Sequence, residues 1–196
     1  MEKELAKIDS FVNGFLEFSV GRLGAITRYN TKRFIRPQNV MQHLGSTALI
    51  AMLLSDYLNS VGVKNDPERV LRMAVVHDIE EITSGDIPHE LKYEVPHSAQ
   101  LRSTLDKLTK FTLNRTLSLI GDSRIQREYG RLIAEEKAKE TVEARIVKAA
   151  DYIDVVIYTR LESKIGNKAM KEEETNAFRS YRKLMREILA SRGRKS

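Results

Sequence analysis

Cysteine is absent from the 196 residues, which excludes disulfides and thiolate chemistry and leaves nitrogen and oxygen to hold any metal. Proline occurs only four times and glycine ten times, so little interrupts regular structure. No run of 18 or more uncharged apolar residues occurs, and no membrane span is expected. The opening MEKELAKIDSFVNGF carries acidic residues and has neither a long apolar stretch nor a small-residue cleavage site. That argues against export, and the cytoplasm is the expected location. Acidic residues are missing between Phe18 and Ser55, while Arg22, Arg28, Lys32, Arg33 and Arg36 all fall there. Within a chain of formal charge +6, this stretch attracts anions. A solvated loop and a phosphate-attracting rim fit it equally well. The basic ending SRGRKS is short enough to be simply solvated.

What the chain does contain is apolar residues at three- and four-residue spacing. With 41% hydrophobic and 31% charged residues, its length suits one compact domain with a substantial core. A first amphipathic helix is expected over about Ile8–Val20, and Thr27–Gln38 reads as irregular. Asn39 followed by Gln42 resembles a capping box, predicting a helix to about Ser60. Asp66-Pro67 is a second start signal for a helix reaching about Glu81. Thr83-Ser84-Gly85-Asp86 should break it. Ser98 is expected to cap a helix to about Ile120, with further helices over 123–137, 140–164 and 171–191. No alternating strand pattern, fixed-period repeat or low-complexity tract is present. The fold class expected is all-α, a single globular helical bundle over residues 1–196.

Ionisable residues recur at apolar places in this pattern. His77-Asp78 closes the apolar run MAVV, His43 opens an earlier helix, and Asp151 stands in RIVKAADYIDVVIY. A carboxylate on such an apolar stretch is costly unless it is paired or bound to a metal. Two imidazoles and two carboxylates on three helices could enclose a divalent cation that activates water. Taken singly, each residue is better explained as a satisfied core or surface group, and Arg145 or Lys148 could simply pair with Asp151. The case rests on all four together. Glu81 lies four residues after His77 and Glu80 three after it, so helical spacing does not choose between them. Asp86 fits an exposed carboxylate or an Asx-turn. His89 and His97 read as surface residues.

The ordered set His43, His77-Asp78 and Asp151 resembles the H…HD…D signature of the HD-domain metal-dependent phosphohydrolases. It is most similar to the branch of small proteins containing bacterial 5′-deoxynucleotidases. The resemblance covers roughly residues 10–165, with core motifs at about 28–154. Arg28-Tyr29, Asn39-Val40-Met41-Gln42-His43, His77-Asp78-Ile79-Glu80-Glu81, Gly85-Asp86-Ile87-Pro88 and Ala150-Asp151 carry it. It implies an HD-domain helical bundle in which His43, His77, Asp78 and Asp151 bind one divalent transition metal. Cobalt or manganese is favoured, with zinc, nickel, iron or magnesium also compatible.

By the same resemblance, Glu81 serves in general acid/base catalysis, Asp86 assists at the reacting phosphate, and Arg28-Tyr29 contacts the nucleotide. Tyr29 stands where that branch has Trp, and Gln42 where it has Glu. The activity implied is release of phosphate from nucleoside 5′-monophosphates, deoxynucleotides favoured, with a homodimer as the expected assembly. Hydrolysis of a triphosphate, cyclic nucleotide or alarmone is the alternative within the superfamily. A non-enzymatic nucleic-acid-binding protein is the alternative of a different class, but no recognised nucleic-acid-binding pattern supports it.

Overall fold

The computed structural model describes residues 1–88, 91–92 and 94–192; His89 and most of the basic ending lie outside them. The described residues are helical, with one isolated antiparallel bridge joining Thr27 and Asn39. They divide into two compact units, 1–32 with 37–42 and 78–131, and 33–36 with 43–77 and 132–196. No described helix is long and apolar enough to cross a membrane.

The first unit opens with α1 (Glu2–Phe11), a π-helical turn (Val12–Leu16) and α2 (Glu17–Ala25). The expected helix thus begins earlier and continues through Gly21 and Gly24 until Ile26 turns extended. Its apolar stripe is uncovered: Leu5, Ile8, Val12, Leu16 and Val20 are all exposed. Beyond it, α5 (Glu81–Ser84) packs on α2 and on α6 (Ser98–Ser118). Leu23, Ile82, Leu117 and Ile120 are buried. Ser98 does not cap α6. His97 takes the cap position with a left-handed φ of 64°, and the Ser98 hydroxyl accepts from Arg102 instead. His97 is exposed, as its surface reading requires.

The second unit contains most of α3 (Val40–Ser60), then α4 (Pro67–Val76), α8 (Val142–Lys164) and α9 (Lys171–Ala190). α7 (Ser123–Ala138) begins in the first unit and ends in the second. The capping box is formed as read. Asn39 N–H donates to Gln42 Oε1 at 2.9 Å, and Gln42 N–H donates to Asn39 Oδ1 at 2.8 Å. Gln42 therefore fixes the start of α3, a task its amide performs as well as a carboxylate would. Asp66 caps α4 by accepting from Arg69 N–H at 3.1 Å, with Pro67 at the first helical position.

The helix expected to reach Glu81 stops at Val76. Past it, Glu81 N–H bonds to the Asp78 carbonyl and Thr83 N–H to that of Glu80. These are tighter three-residue steps in place of the α-helical four. α8 packs extensively on α9 and also on α4, burying Ile146, Val147, Ala149 and Ala150.

Candidate metal centre and acidic cluster

In the second unit three of the expected ligands converge. His43, near the start of α3, is fully buried, and His77, directly after α4, is 5% exposed. Their Nε2 atoms are 3.2 Å apart, and His43 Nε2 is 3.4 Å from Asp151 Oδ1 on α8. One ligand atom from each of the three lies within 4.8 Å of the others.

The hydrogen bonds on the far sides of the rings decide what those nitrogens offer. His77 Nδ1 is 2.8 Å from the Ala74 carbonyl, which can only accept, so Nδ1 carries the hydrogen. His43 Nδ1 is 2.6 Å from Asp154 Oδ2, and a carboxylate likewise accepts. With neutral rings, both Nε2 atoms are then bare lone pairs facing each other. That arrangement is repulsive unless a cation stands between them. Bonds of ~2.0–2.1 Å at tetrahedral or octahedral angles place two nitrogens roughly 2.8–3.4 Å apart. The observed spacing and the N,N,O donor set fit a divalent transition metal.

Burial pushes the Asp151 carboxyl up, but the Lys148 ammonium beside it opposes burial, and the carboxyl lies well below the usual carboxylate range. Lys148 Nζ is 2.6 Å from Asp151 Oδ2, so the pairing weighed against a metal role is present alongside the convergence with the histidines.

Asp154 was missed by the sequence reading. It is 3% exposed, accepts from His43, and takes a short hydrogen bond from the Ser46 hydroxyl. One signal was available, because Asp154 follows Asp151 by three residues and shares its helix face.

The first unit holds the other expected residues. Arg28 is buried, its backbone N–H bonded to the Gln38 carbonyl and its guanidinium Nη1 3.0 Å from Gln38 Oε1. The guanidinium carbon stands 5.0 Å from the Tyr29 ring centre. Tyr29 takes a left-handed φ of 53°, unusual for a residue with a bulky side chain. Its N–H donates to the Asp86 carboxylate, and the Asn30 amide donates to the Asp86 carbonyl at 3.2 Å. Asp86 therefore clamps the Arg28–Asn30 turn across 57 residues of sequence. Of the remaining cations in the basic stretch, Arg22, Arg33 and Arg36 are exposed and Lys32 is half-buried, whereas Arg28 is buried.

Glu81 is strongly perturbed in the direction opposite to Asp151. Burial, then the nearby Asp78 and Asp86 charges, raise its pKa to about 9, with Arg28 and Lys92 opposing. Its Oε2 is buried without a hydrogen-bond partner among the described residues. A carboxyl in this state is protonated at neutral pH and is suited to donating a proton.

A profile described as 5′-deoxynucleotidase YfbR-like matches residues 15–189. The chain belongs to that family. Among curated relatives of this YfbR-like chain, the 5′-deoxynucleotidase of Erwinia tasmaniensis is 31% identical over 149 residues, 76% of this chain and 73% of the relative. A 5′-deoxynucleotidase of Photorhabdus laumondii is 29% identical over the same shares. Solved structures share the fold of the YfbR-like chain. An HD-domain phosphohydrolase from Listeria innocua superposes with a TM-score of 0.70 at 21% identity, covering 88% of this chain and 87% of its own. A Pyrococcus horikoshii protein gives 0.65 at 24% identity, covering 96% and 98%. The expected all-α HD-type fold and the family resemblance are therefore borne out. The YfbR-like chain is a metal-dependent phosphomonoester hydrolase.

Proposed function

We propose that this YfbR-like chain releases phosphate from deoxynucleoside 5′-monophosphates, using one divalent cation, with cobalt or manganese the best activators. The facing pair of bare imidazole nitrogens supports this most directly. His43, His77 and Asp151 would hold the cation, with Asp78, peptide-bonded to His77, as the fourth ligand assigned by the HD signature. When bound, such a cation supplies Lewis acidity toward phosphate and water. Glu81, protonated in its buried setting, gives a proton to the departing 5′ oxygen. Arg28 offsets phosphate charge through its planar fork of donors. Asp86 holds the turn that presents Arg28 and Tyr29. The chain is stripped of metal, reconstituted with one metal at a time, and given ribo- and deoxynucleotides carrying one, two or three phosphates. Orthophosphate from deoxynucleoside monophosphates should exceed that from every other class. Release of pyrophosphate or tripolyphosphate from triphosphates as the dominant reaction would overturn the substrate assignment.

We also propose a homodimer. On α3, Leu49, Leu53 and Tyr57 recur every four residues on one face and are 55%, 58% and 66% exposed. A stripe of this kind is characteristic of a surface covered by another chain. Light scattering should give twice the chain mass, and Leu53→Lys should return the monomer. A monomeric wild type at micromolar concentration would sink the idea.

A further inference from the structure

Cations in the second unit gather in one place that the proposed reaction does not use. A cavity of about 390 Å³ is lined by Lys139 and by residues of α8 and α9, among them Arg145, Lys148, Tyr152, Lys183 and Glu187. The lining carries four cations and one carboxylate, with Asp151 paired to Lys148 beside it. The backbone is arranged to hold them there. Lys139 follows α7 with a left-handed φ of 55°, and its carbonyl accepts from Arg145 Nε at 3.1 Å. Lys148 lies 4.7 Å from the Tyr152 ring centre while pairing with Asp151. Lys183, on the exposed face of α9, pairs with no carboxylate among the described residues. Like charges repel, and a folded chain that collects them in a concave site creates a receptor for a multiply charged anion. The volume suits a nucleotide-sized ligand. The Arg145 fork matches phosphate oxygens, and Tyr152 offers a ring against which a base can stack.

We propose that this cavity binds a nucleoside polyphosphate, and that its occupancy is felt at the metal centre through Lys148. The lysine stands on both sites, in the cavity wall and 2.6 Å from Asp151. A polyphosphate drawing on its charge leaves the Asp151 carboxylate freer to hold a cation, so a bound metal leaves more slowly. The coupling rests on the reading of His43, His77 and Asp151 as ligands; the binding does not.

Equilibrium dialysis of radiolabelled ATP at tracer concentration against the full chain tests the binding, with inorganic tripolyphosphate and orthophosphate as competitors. Saturable binding should weaken at least tenfold in Arg145→Glu/Lys183→Glu and change less than twofold in His77→Ala. Competition by tripolyphosphate as strong as by unlabelled ATP would reduce the ligand to the polyphosphate alone and overturn the nucleoside part. The reverse mutational pattern, or no saturable binding, would overturn the site. Lys183→Ala, a milder change on an exposed helix face, should weaken binding at least threefold should the double variant fail to fold. For the coupling, metal retained after an EDTA challenge is followed with and without saturating ATP. The half-time should lengthen at least threefold in the wild type and not in the double variant; equal half-times in both proteins would overturn it.

Discussion

His77→Ala removes bound metal and phosphate release together. One of two facing nitrogens disappears, and with it the closest pair of donors among the described ligand groups. Without the cation the hydrolysis loses its Lewis acid, so kcat should fall by at least a thousandfold, with metal content near zero by elemental analysis. Asp154→Asn provides a graded companion. It contacts no proposed substrate or metal, yet it accepts from His43 Nδ1 and so selects the tautomer that bares Nε2. An asparagine can present an N–H there and favour the wrong tautomer. Metal affinity should drop ~10–100-fold, the usual effect of removing such an orienting partner. Full activity in metal-free His77→Ala would refute the assignment.

Glu81→Gln should lower kcat by ~10²–10⁴, the span of general acid catalysis, while making the metal-free protein more stable. The sign follows from protonation. In the folded chain the Glu81 pKa is raised to about 9, whereas an unfolded chain has the ordinary value of 4.5. From pH 4.5 upward the unfolded state ionises while the folded state keeps its proton, so stability falls as pH rises toward 9. The slope is at most about 1.4 kcal/mol per pH unit. Glutamine cannot ionise and escapes this loss. Urea melts of the two metal-free proteins should therefore separate between pH 5 and 8, the variant gaining with each unit. A constant gap across that range would mean that Glu81 is not held protonated by its burial.

Much of this was legible in the residues because local chemistry and tertiary structure agree. Asn39 with Gln42 and Asp66 with Pro67 announce helix starts, and both caps form. His43, His77 and Asp151 were suspected because polar groups on apolar helical runs require a reason, and they do converge. The misses share a different origin. The end of α4 at Val76 is set by three-residue hydrogen bonds through Asp78 and Glu80, which no periodicity of apolar residues records. Asp86 was read as either a local turn or an exposed carboxylate. Its partner is Tyr29, far away in sequence, and only the folded chain reveals it. Asp154 belongs to no local motif in the sequence. Its role depends on facing His43, which lies 111 residues earlier.

The span of α8 has a last consequence, for which length changes the chain can absorb. Lys148, Asp151 and Asp154 face the candidate metal centre from the stretch 148–154. From the second half of α8, Tyr158 donates to the Arg36 carbonyl at 2.9 Å, and Glu162 accepts from Ile35 and Arg36 N–H, both at 2.9 Å. Each residue along an α-helix turns about 100°. One residue inserted between Asp154 and Tyr158 would swing Tyr158 and Glu162 off the 33–36 segment while leaving the ligands in place. The connections at 61–66 and 165–170 are pinned as well, by buried Val63 and Met170 and by Asn167, which donates to the Arg33 carbonyl at 3.0 Å. Residue count, rather than residue type, is what this helix constrains most tightly.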